Sequence, residues 1–501
     1  MSIRRNVLAN GAGRVWSSLM SFAFVPLYIR FLGMEAYGLI GFFISLLAVF
    51  FVFDMGFSTS ITRELARVDV QVDARHHARD MVRTLELIYW ATGISLGTAL
   101  VLLAPWIAQH GLNSRQLPLP QVTASIRLMG LVAVFRWPVP LYSGGLMGLH
   151  RQVTLNVVTS VIATLQGGGA VLVLALIAPT IEAFFLWQLV VSALQIVLLR
   201  TLVWRALQVP SHSPSFSAPV LRSILGFSAG VSCITILSVV LTQFDKFLVG
   251  KYLPLEALGY YALAGSIAGV LNIAAMAVYS ALFPAFSRAV AEGAADALRD
   301  MYHNSCQVLA AFLIPAGVTL ALFSRELLTF YVSSPVIVDN TYRLLSLLAI
   351  GNMGLSLMLL PLALQLAHGW TTLSLYKNVV AVVLFVPVVY VMVSRYGAIG
   401  AASVWIVLTL GYVLIEIPLM HRRLLVGEMA SWYLVDVGRP LLVALFVLLP
   451  VRLLLPVGAP LVVTIPTICV AAGLAVVAAA VSLPGLRYLS RGVLRRLQPV
   501  H

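Results

Sequence analysis

Six residues able to bind or carry ions stand inside long apolar runs: the bases Arg14, Arg127, Arg136 and Lys246 and the acids Asp54 and Asp245. A cation in an apolar setting recognises phosphate, and arginine does so with five N–H donors in a planar fork. A carboxylate in the same setting orients such a cation or takes up a proton or sodium ion. His76, His77 and the other seven of the nine histidines show no H-E-x-x-H or other ligand spacing, so no metal is expected. There is no G-x-x-x-x-G-K-[ST] loop, so ATP is not the direct fuel. No cofactor and no catalytic residue are expected, and the chain does not read as an enzyme. Coupling falls to H+ or Na+, with Asp54 and Asp245 the acids best placed for it.

The elements that hold these groups are membrane helices. Of 501 residues, 60% are hydrophobic and 10% charged, against about 25% charged in a soluble domain. That composition excludes a soluble enzyme, a disulfide scaffold and a disordered protein, and leaves an all-α polytopic membrane protein. Cys233, Cys306 and Cys469 have no pairing or ligand spacing and read as packing residues. Arg4 and Arg5 followed by an apolar run to Tyr28 read as a retained first helix rather than a signal peptide.

A bilayer core of about 30 Å takes about 20 helical residues. Fourteen segments reach or approach that length, near 8–29, 37–62, 84–108, 121–147, 154–178, 181–203, 223–250, 258–285, 303–324, 341–365, 373–394, 400–420, 439–456 and 459–483. Of the 32 basic residues, Arg14, Arg127, Arg136, Lys246 and Lys377 lie within these helices. Seven fall on outer segments: Arg30, Arg115, Lys251, Arg325, Arg343, Arg395 and Arg452. The remaining 20 fall on the other side, which the positive-inside rule makes cytoplasmic, so both termini are expected inside and the helix count even. The longest polar connections, 63–83, 205–222 and 286–302, all face the cytoplasm. The short outer loops leave no room for the catalytic domain of a membrane glycosyltransferase or polymerase.

Each intramembrane charge costs at least a few kcal/mol (~2.5–3.5 kcal/mol on insertion scales) and needs a reason. Arg14 lies nine residues beyond Arg5 and Asp54 nine before Arg63, each about 13 Å deep at 1.5 Å per residue. An ion pair between them and a diphosphate contact by Arg14 both remain open. Arg127 and Arg136 are nine apart, half a turn out of phase on a straight helix, and Pro138 and Pro140 predict a bend just after Arg136. Arg136 lies near mid-span with no acid in its own segment and is the leading anion contact. Arg127, nearer the outer face, is placed to snorkel. Asp245 and Lys246, one to two turns from the outer end of their helix, read either as a local pair with a snorkelling lysine or as part of a gate. Lys377 is expected to snorkel inward, and Glu416 and Glu86 to pair at the interface. Trp137, Trp187, Trp405, Tyr142, Tyr260 and Tyr279 offer either packing or sugar stacking. Gly167-Gly168-Gly169 and Gly226/Gly230 permit close helix contact.

The chain repeats itself at an offset near 221. Glu35-Ala36-x-Gly38 matches Glu256-Ala257-x-Gly259, Pro140-Leu141 matches Pro361-Leu362, and Gly97/Gly317, Asn156/Asn378 and Trp187/Trp405 follow at nearly the same spacing. The offset spans six helices, so the two units share one membrane orientation. The expected organisation is a six-helix bundle over 1–220, a second over 221–425, and two extra helices with a basic tail over 426–501. Transporters built from such parallel repeats hold substrate between the halves near the midplane.

Four places carry a resemblance to a known family. They are Pro26-Leu-Tyr-Ile-Arg30-Phe-Leu-Gly33-Met-Glu-Ala-Tyr37-Gly38; Asp54-Met-Gly56-Phe with Arg63-Glu-Leu-Ala; Gly148-Leu-His-Arg151 with Asn156; and Asp245-Lys246 with Gly250-Lys-Tyr252 and Glu256-Ala-Leu-Gly259-Tyr-Tyr261. In these the chain resembles the Wzx-type O-antigen flippases, in the polysaccharide-exporter branch of the multidrug/oligosaccharidyl-lipid/polysaccharide exporter superfamily. The resemblance covers the first twelve helices and thins after about residue 425. It implies a monomeric inner-membrane flippase of bacteria that carries an undecaprenyl-diphosphate-linked oligosaccharide outward by alternating access. It further implies a polysaccharide polymerase and chain-length machinery as partners, and no nucleic acid. A multidrug antiporter of the same fold and a flippase for the peptidoglycan lipid precursor are the alternatives.

Overall fold

The computed structural model describes residue 13 and residues 16–66, 72–207, 214–456 and 458–484. Arg14 lies outside the described residues. The described chain is helical, with one isolated bridge between Asn113 and Pro254 and no named strand. By length and apolar composition, 11 helices among the described residues can cross a membrane. Their outward faces are apolar as well: Leu442, Phe446, Leu454 and Val462 are each more than two-thirds exposed. Apolar surface of that extent is stable against lipid, not water. The protein is a multi-pass membrane protein.

By internal contact the chain falls into two compact units, Met1–Gly259 and Tyr260–His501. The first holds α1 (Val25–Phe50), α2 (Phe57–Leu65), α3 (Val72–Trp106), α4 (Leu119–Arg136), α5 (Val139–Gly148), α6 (Gln152–Thr164), α7 (Ala170–Leu176), α8 (Ile181–Ala206) and α9 (Ala218–Tyr252). The second opens with α10 (Leu255–Ala291), most of which lies beyond Gly259, and α11 (Ala295–Leu322), α12 (Ser324–Val332), α13 (Pro335–Leu357) and α14 (Leu359–Ala367). It continues with α15 (Thr371–Gly411), α16 (Ile417–Leu424), α17 (Arg439–Leu454) and α18 (Leu461–Ser482).

Several of these helices are broken, each for a local reason. The sequence predicts one uninterrupted helix over 37–62; instead the chain leaves α1 through a 3-10 turn, Phe51–Asp54. Met55 and Gly56 then both take left-handed φ angles, 51° and 77°, before α2 begins. Asp54 therefore sits at a helix end rather than mid-helix. The predicted bend after Arg136 is present: α4 ends there, and α5 starts after Pro138 with Pro140 in its first turn. Between α6 and α7, Leu165–Gly169 form a π-helical turn. The carbonyls it frees accept from α8, Leu165 from Trp187 Nε1 (2.8 Å) and Gln166 from Gln188 Nε2 (3.2 Å). A β-carbon on Gly169 would run into the Trp187 ring, so this glycine serves close packing.

The repeated Glu-Ala-x-Gly motif has two structural jobs. The buried Glu35 carboxylate accepts the backbone N–H groups of Arg115 (2.6 Å), Gln116 (2.7 Å) and Leu117 (3.3 Å), tying down the loop before α4. Gly38 and Gly259 face each other: a β-carbon on Gly38 would strike the Leu255 carbonyl, and one on Gly259 the Met34 carbonyl. Within the first unit the two copies of the motif thus meet backbone to backbone, a contact open only to glycine.

Gly38→Ala should destabilise the protein by about 1–3 kcal/mol through overpacking against backbone that cannot retreat. The measurement is the thermal denaturation midpoint of the purified protein in detergent. An unchanged midpoint would contradict the packing described.

Candidate functional site

The first unit forms an open cavity of about 320 Å³ with polar groups set in a largely apolar wall. Its wall brings together the break after α1, the break between α4 and α5, the π-helical turn and α8: Phe50, Asp54, Arg136, Trp137, Gln166 and Gln195 are among the lining residues. Each polar group reaches the cavity because its helix is interrupted or carries it on one buried face.

Arg136, the last residue of α4, has a distinctive set of partners. Its Nε donates to Ser192 Oγ (3.2 Å), its Nη2 donates to Gln188 Oε1 (2.8 Å), and the guanidinium stands 5.7 Å from the Phe43 ring centre. No carboxylate lies within ion-pair distance of it among the described residues. A fixed cation is thereby held by neutral oxygens and an aromatic face, with donors of its fork unused. Asp54 lies in the same wall but is bound elsewhere: it accepts from the Tyr89 hydroxyl and from Ser58 Oγ (2.8 Å). The predicted pairing of Asp54 with Arg14 falls outside the described residues.

The other predicted site residues lie apart from this cavity. Arg127 is exposed and does not line it, as the half-turn offset from Arg136 requires. Asp245 is fully buried, and Lys246, about a quarter exposed, stands 3.4 Å from it while also donating to the Thr242 carbonyl. Lys377 departs from the snorkelling expectation. Its ammonium turns into the protein and pairs with Glu416 at 2.7 Å, and Glu416, only 1% exposed, also accepts from Gln365 Nε2 (2.8 Å). Glu416 therefore pairs across helices and not with its sequence neighbours Arg422 and Arg423, because the π-helical turn Tyr412–Glu416 faces it inward. Glu86 is held by Arg83 (3.1 Å), Arg200 (2.5 Å) and the Tyr142 hydroxyl (2.6 Å).

Of the aromatic residues, Trp137 alone among the six lines the polar cavity. Trp187 and Trp405 donate to Leu165 O and to the Tyr261 hydroxyl (3.2 Å), and Tyr279 stacks on Phe283. The residues that sequence reasoning missed are neutral: Gln166, Gln188, Ser192 and Gln195. A signal for three of them exists, since 188, 192 and 195 follow the i, i+4, i+7 spacing of one helix face inside an apolar run.

Comparison with known proteins gives consistent results. Residues 27–335 match the family described as polysaccharide biosynthesis protein. A Shigella flexneri protein described as a candidate O-antigen transporter is 21% identical over 414 residues, covering 81% of this chain and 94% of that protein. Among solved structures, the lipid II flippase MurJ in an inward closed conformation aligns with a TM-score of 0.71 at 14% identity, over 95% of this chain and 98% of that one. An inward-facing multidrug transporter of the MATE family in the MOP superfamily aligns with a TM-score of 0.65 at 13% identity, over 83% and 99%. At these identities the structural likeness is one of fold.

Gln188→Leu removes an acceptor from a buried cation and should cost about 1–3 kcal/mol. The further change Arg136→Met in the same background should recover part of that loss. Thermal midpoints of the two single variants and the double variant check this; additive losses would mean that Gln188 does not support Arg136.

Proposed function

The chain belongs to the polysaccharide biosynthesis protein family matched over residues 27–335, and on that premise we propose that it flips an undecaprenyl-diphosphate-linked oligosaccharide across the bacterial inner membrane for surface polysaccharide assembly. The observation that carries the reading is Arg136. A permanent cation at membrane depth, held by neutral groups beside a cavity with glutamine and tryptophan in its wall, is suited to a diphosphate joined to a sugar. Gln166 and Gln195 supply donors and acceptors for sugar hydroxyls, and the flat face of Trp137 a stacking surface. Arg14 would add a second cation, and Lys246 and Arg127 further ones along the path.

The finer architecture belongs to the same proposal. Left-handed Gly33 (φ 80°) and Gly397 (φ 62°) each turn a continuous helical run back on itself. The run 371–424 is 54 residues, about 81 Å at 1.5 Å per residue, enough for two crossings. With the 35-residue α9, the reading is fourteen crossings, both termini inside, two parallel six-helix repeats over 1–220 and 221–425 and two added helices, working by alternating access. H+ or Na+ drives the cycle, and a polymerase with its chain-length machinery receives the product. A cationic-drug antiporter of the same fold would present carboxylates to its cargo. Here the cavity's acid, Asp54, is engaged by Tyr89 and Ser58, while among the described residues no acid pairs with Arg136.

Arg136→Ala should abolish surface polysaccharide while the protein stays in the membrane. In vesicles, the exposure of a labelled undecaprenyl-diphosphate-linked sugar on the far side should slow about 10- to 100-fold, in keeping with loss of hydrogen bonds to a charged group. Normal surface polysaccharide in that variant would remove Arg136 from the site. Cationic-drug efflux lost in parallel would favour the antiporter.

A further inference from the structure

The second unit contains a buried acid–histidine pair between α11 and the π-helical turn Trp432–Gly438 that leads into α17. His303 Nδ1 stands 2.5 Å from Asp436 Oδ2, and Gln307 Nε2 donates to Asp436 Oδ1 at 2.9 Å. Asp436 is fully buried and His303 8% exposed. We infer that His303 and Asp436 form a proton-binding site, loaded through Glu428, whose proton drives the transport cycle. The coupling part of this inference rests on the transport reading above; the proton-binding part stands independently.

Charge balance carries the inference. Among the described residues, Asp436 has no arginine or lysine within ion-pair distance. Arg439, three residues on, is exposed and makes no ion pair with it. The donor on its second oxygen is the neutral Gln307 amide. Buried away from water, the carboxylate therefore leaves one net negative charge whenever His303 is neutral, a costly state. One proton removes it. Whether that proton sits on the imidazole or crosses to Oδ2 along the Nδ1–H···O line, the pair is left neutral. This differs from the Lys377–Glu416 pair, which carries its own fixed counter-charge and needs no proton.

A route for the proton is also in place. His303 Nε2 is buried, lacks a hydrogen-bond partner, and lies 3.4 Å from Glu428 Oε2. Glu428 is 30% exposed and shares Arg299 (3.9 Å) with Asp296 and Asp300 at the start of α11, the side the proposed topology makes cytoplasmic. A proton taken from water by the Glu428 carboxylate passes to His303 Nε2, and Glu428 returns to its anionic form. His421 of α16 also faces the cluster across the Tyr302 ring. Its Nδ1 donates to the Ile417 carbonyl (2.9 Å), and its Nε2 has no hydrogen-bond partner. The site joins two elements of the same unit, and Asp436 lies on a widened helical turn, the kind of irregularity that recurs at functional positions. A change from charged to neutral there alters how tightly α11 holds the segment leading into α17.

The test uses the full chain in lipid nanodiscs and counts protons released on a pH jump from acid to alkaline with a pH-sensitive dye. Asp436→Asn keeps size and hydrogen bonding, removes the charge that needs the proton, and should release about one proton fewer per chain than wild type. A count equal to wild type in Asp436→Asn would overturn the site. Glu428→Gln, at the surface, should slow release of the buried proton severalfold; an unchanged rate would overturn the entry route. In vesicles, a pH gradient should speed flipping of the labelled lipid-linked sugar in wild type and not in His303→Gln or Asp436→Asn, while gradient-free exchange persists in all three. Stimulation retained in both variants, or a response to sodium in place of protons, would overturn the coupling. Wild-type vesicles that move no lipid-linked sugar would sink the transport reading, and the proton count would still decide the site.

Discussion

Placing a charge where water cannot solvate it is the constraint around which the interior is arranged. A charged side chain at mid-membrane is tolerated when it is paired, neutralised or needed. The described interior uses all three solutions. Glu86 is surrounded by Arg83, Arg200 and Tyr142, and Glu416 by Lys377 and Gln365. Asp436 has a histidine in place of a fixed cation. Arg136 has neutral oxygens only. The first two need nothing further. The last two have no fixed opposite charge beside them among the described residues, and the proposed functions rest on that imbalance.

The helix breaks follow from the same constraint. An unbroken helix satisfies its own backbone and presents only side chains. Interrupting it near a polar cavity frees carbonyls and re-aims residues, and at the π-helical turn the freed carbonyls are covered by side chains of neighbouring helices. The π-helical turn at Leu165–Gly169 hands two carbonyls to Trp187 and Gln188, and Gln188 in turn holds Arg136. The left-handed pair Met55–Gly56 ends a helix beside Asp54, and Pro138 ends another beside Arg136. Backbone irregularity and polar side chains therefore arrive at the cavity together. The glycine contact at Gly38 and Gly259 is the complementary device, a place where the backbone comes close because nothing needs to be presented.

Much was legible from the sequence alone. Composition established a multi-pass membrane protein, because 60% hydrophobic residues cannot be covered by 10% charged ones in water. The 3.6-residue period separated Arg127 from Arg136, and proline chemistry located the bend after Arg136. Motifs were enough for the family, since residues 27–335 match it. These are local properties or sums over the chain, and neither depends on which helices touch.

Partnership was decided by tertiary structure. Lys377 looks like a snorkelling lysine until Glu416, 39 residues away, is brought to 2.7 Å. Glu35 looks like a surface acid until the backbone of 115–117 folds onto it. His303 and Asp436 stand 133 residues apart and carry no spacing signal. The neutral cradle of Arg136 was equally hidden, because glutamine and serine in an apolar run mark polarity but not its object. The sequence states how many charges enter the membrane and roughly how deep they lie. Which of them are left unbalanced depends on distances of a few ångströms between helices, since hydrogen bonds and contact ion pairs are lost over the length of one side chain.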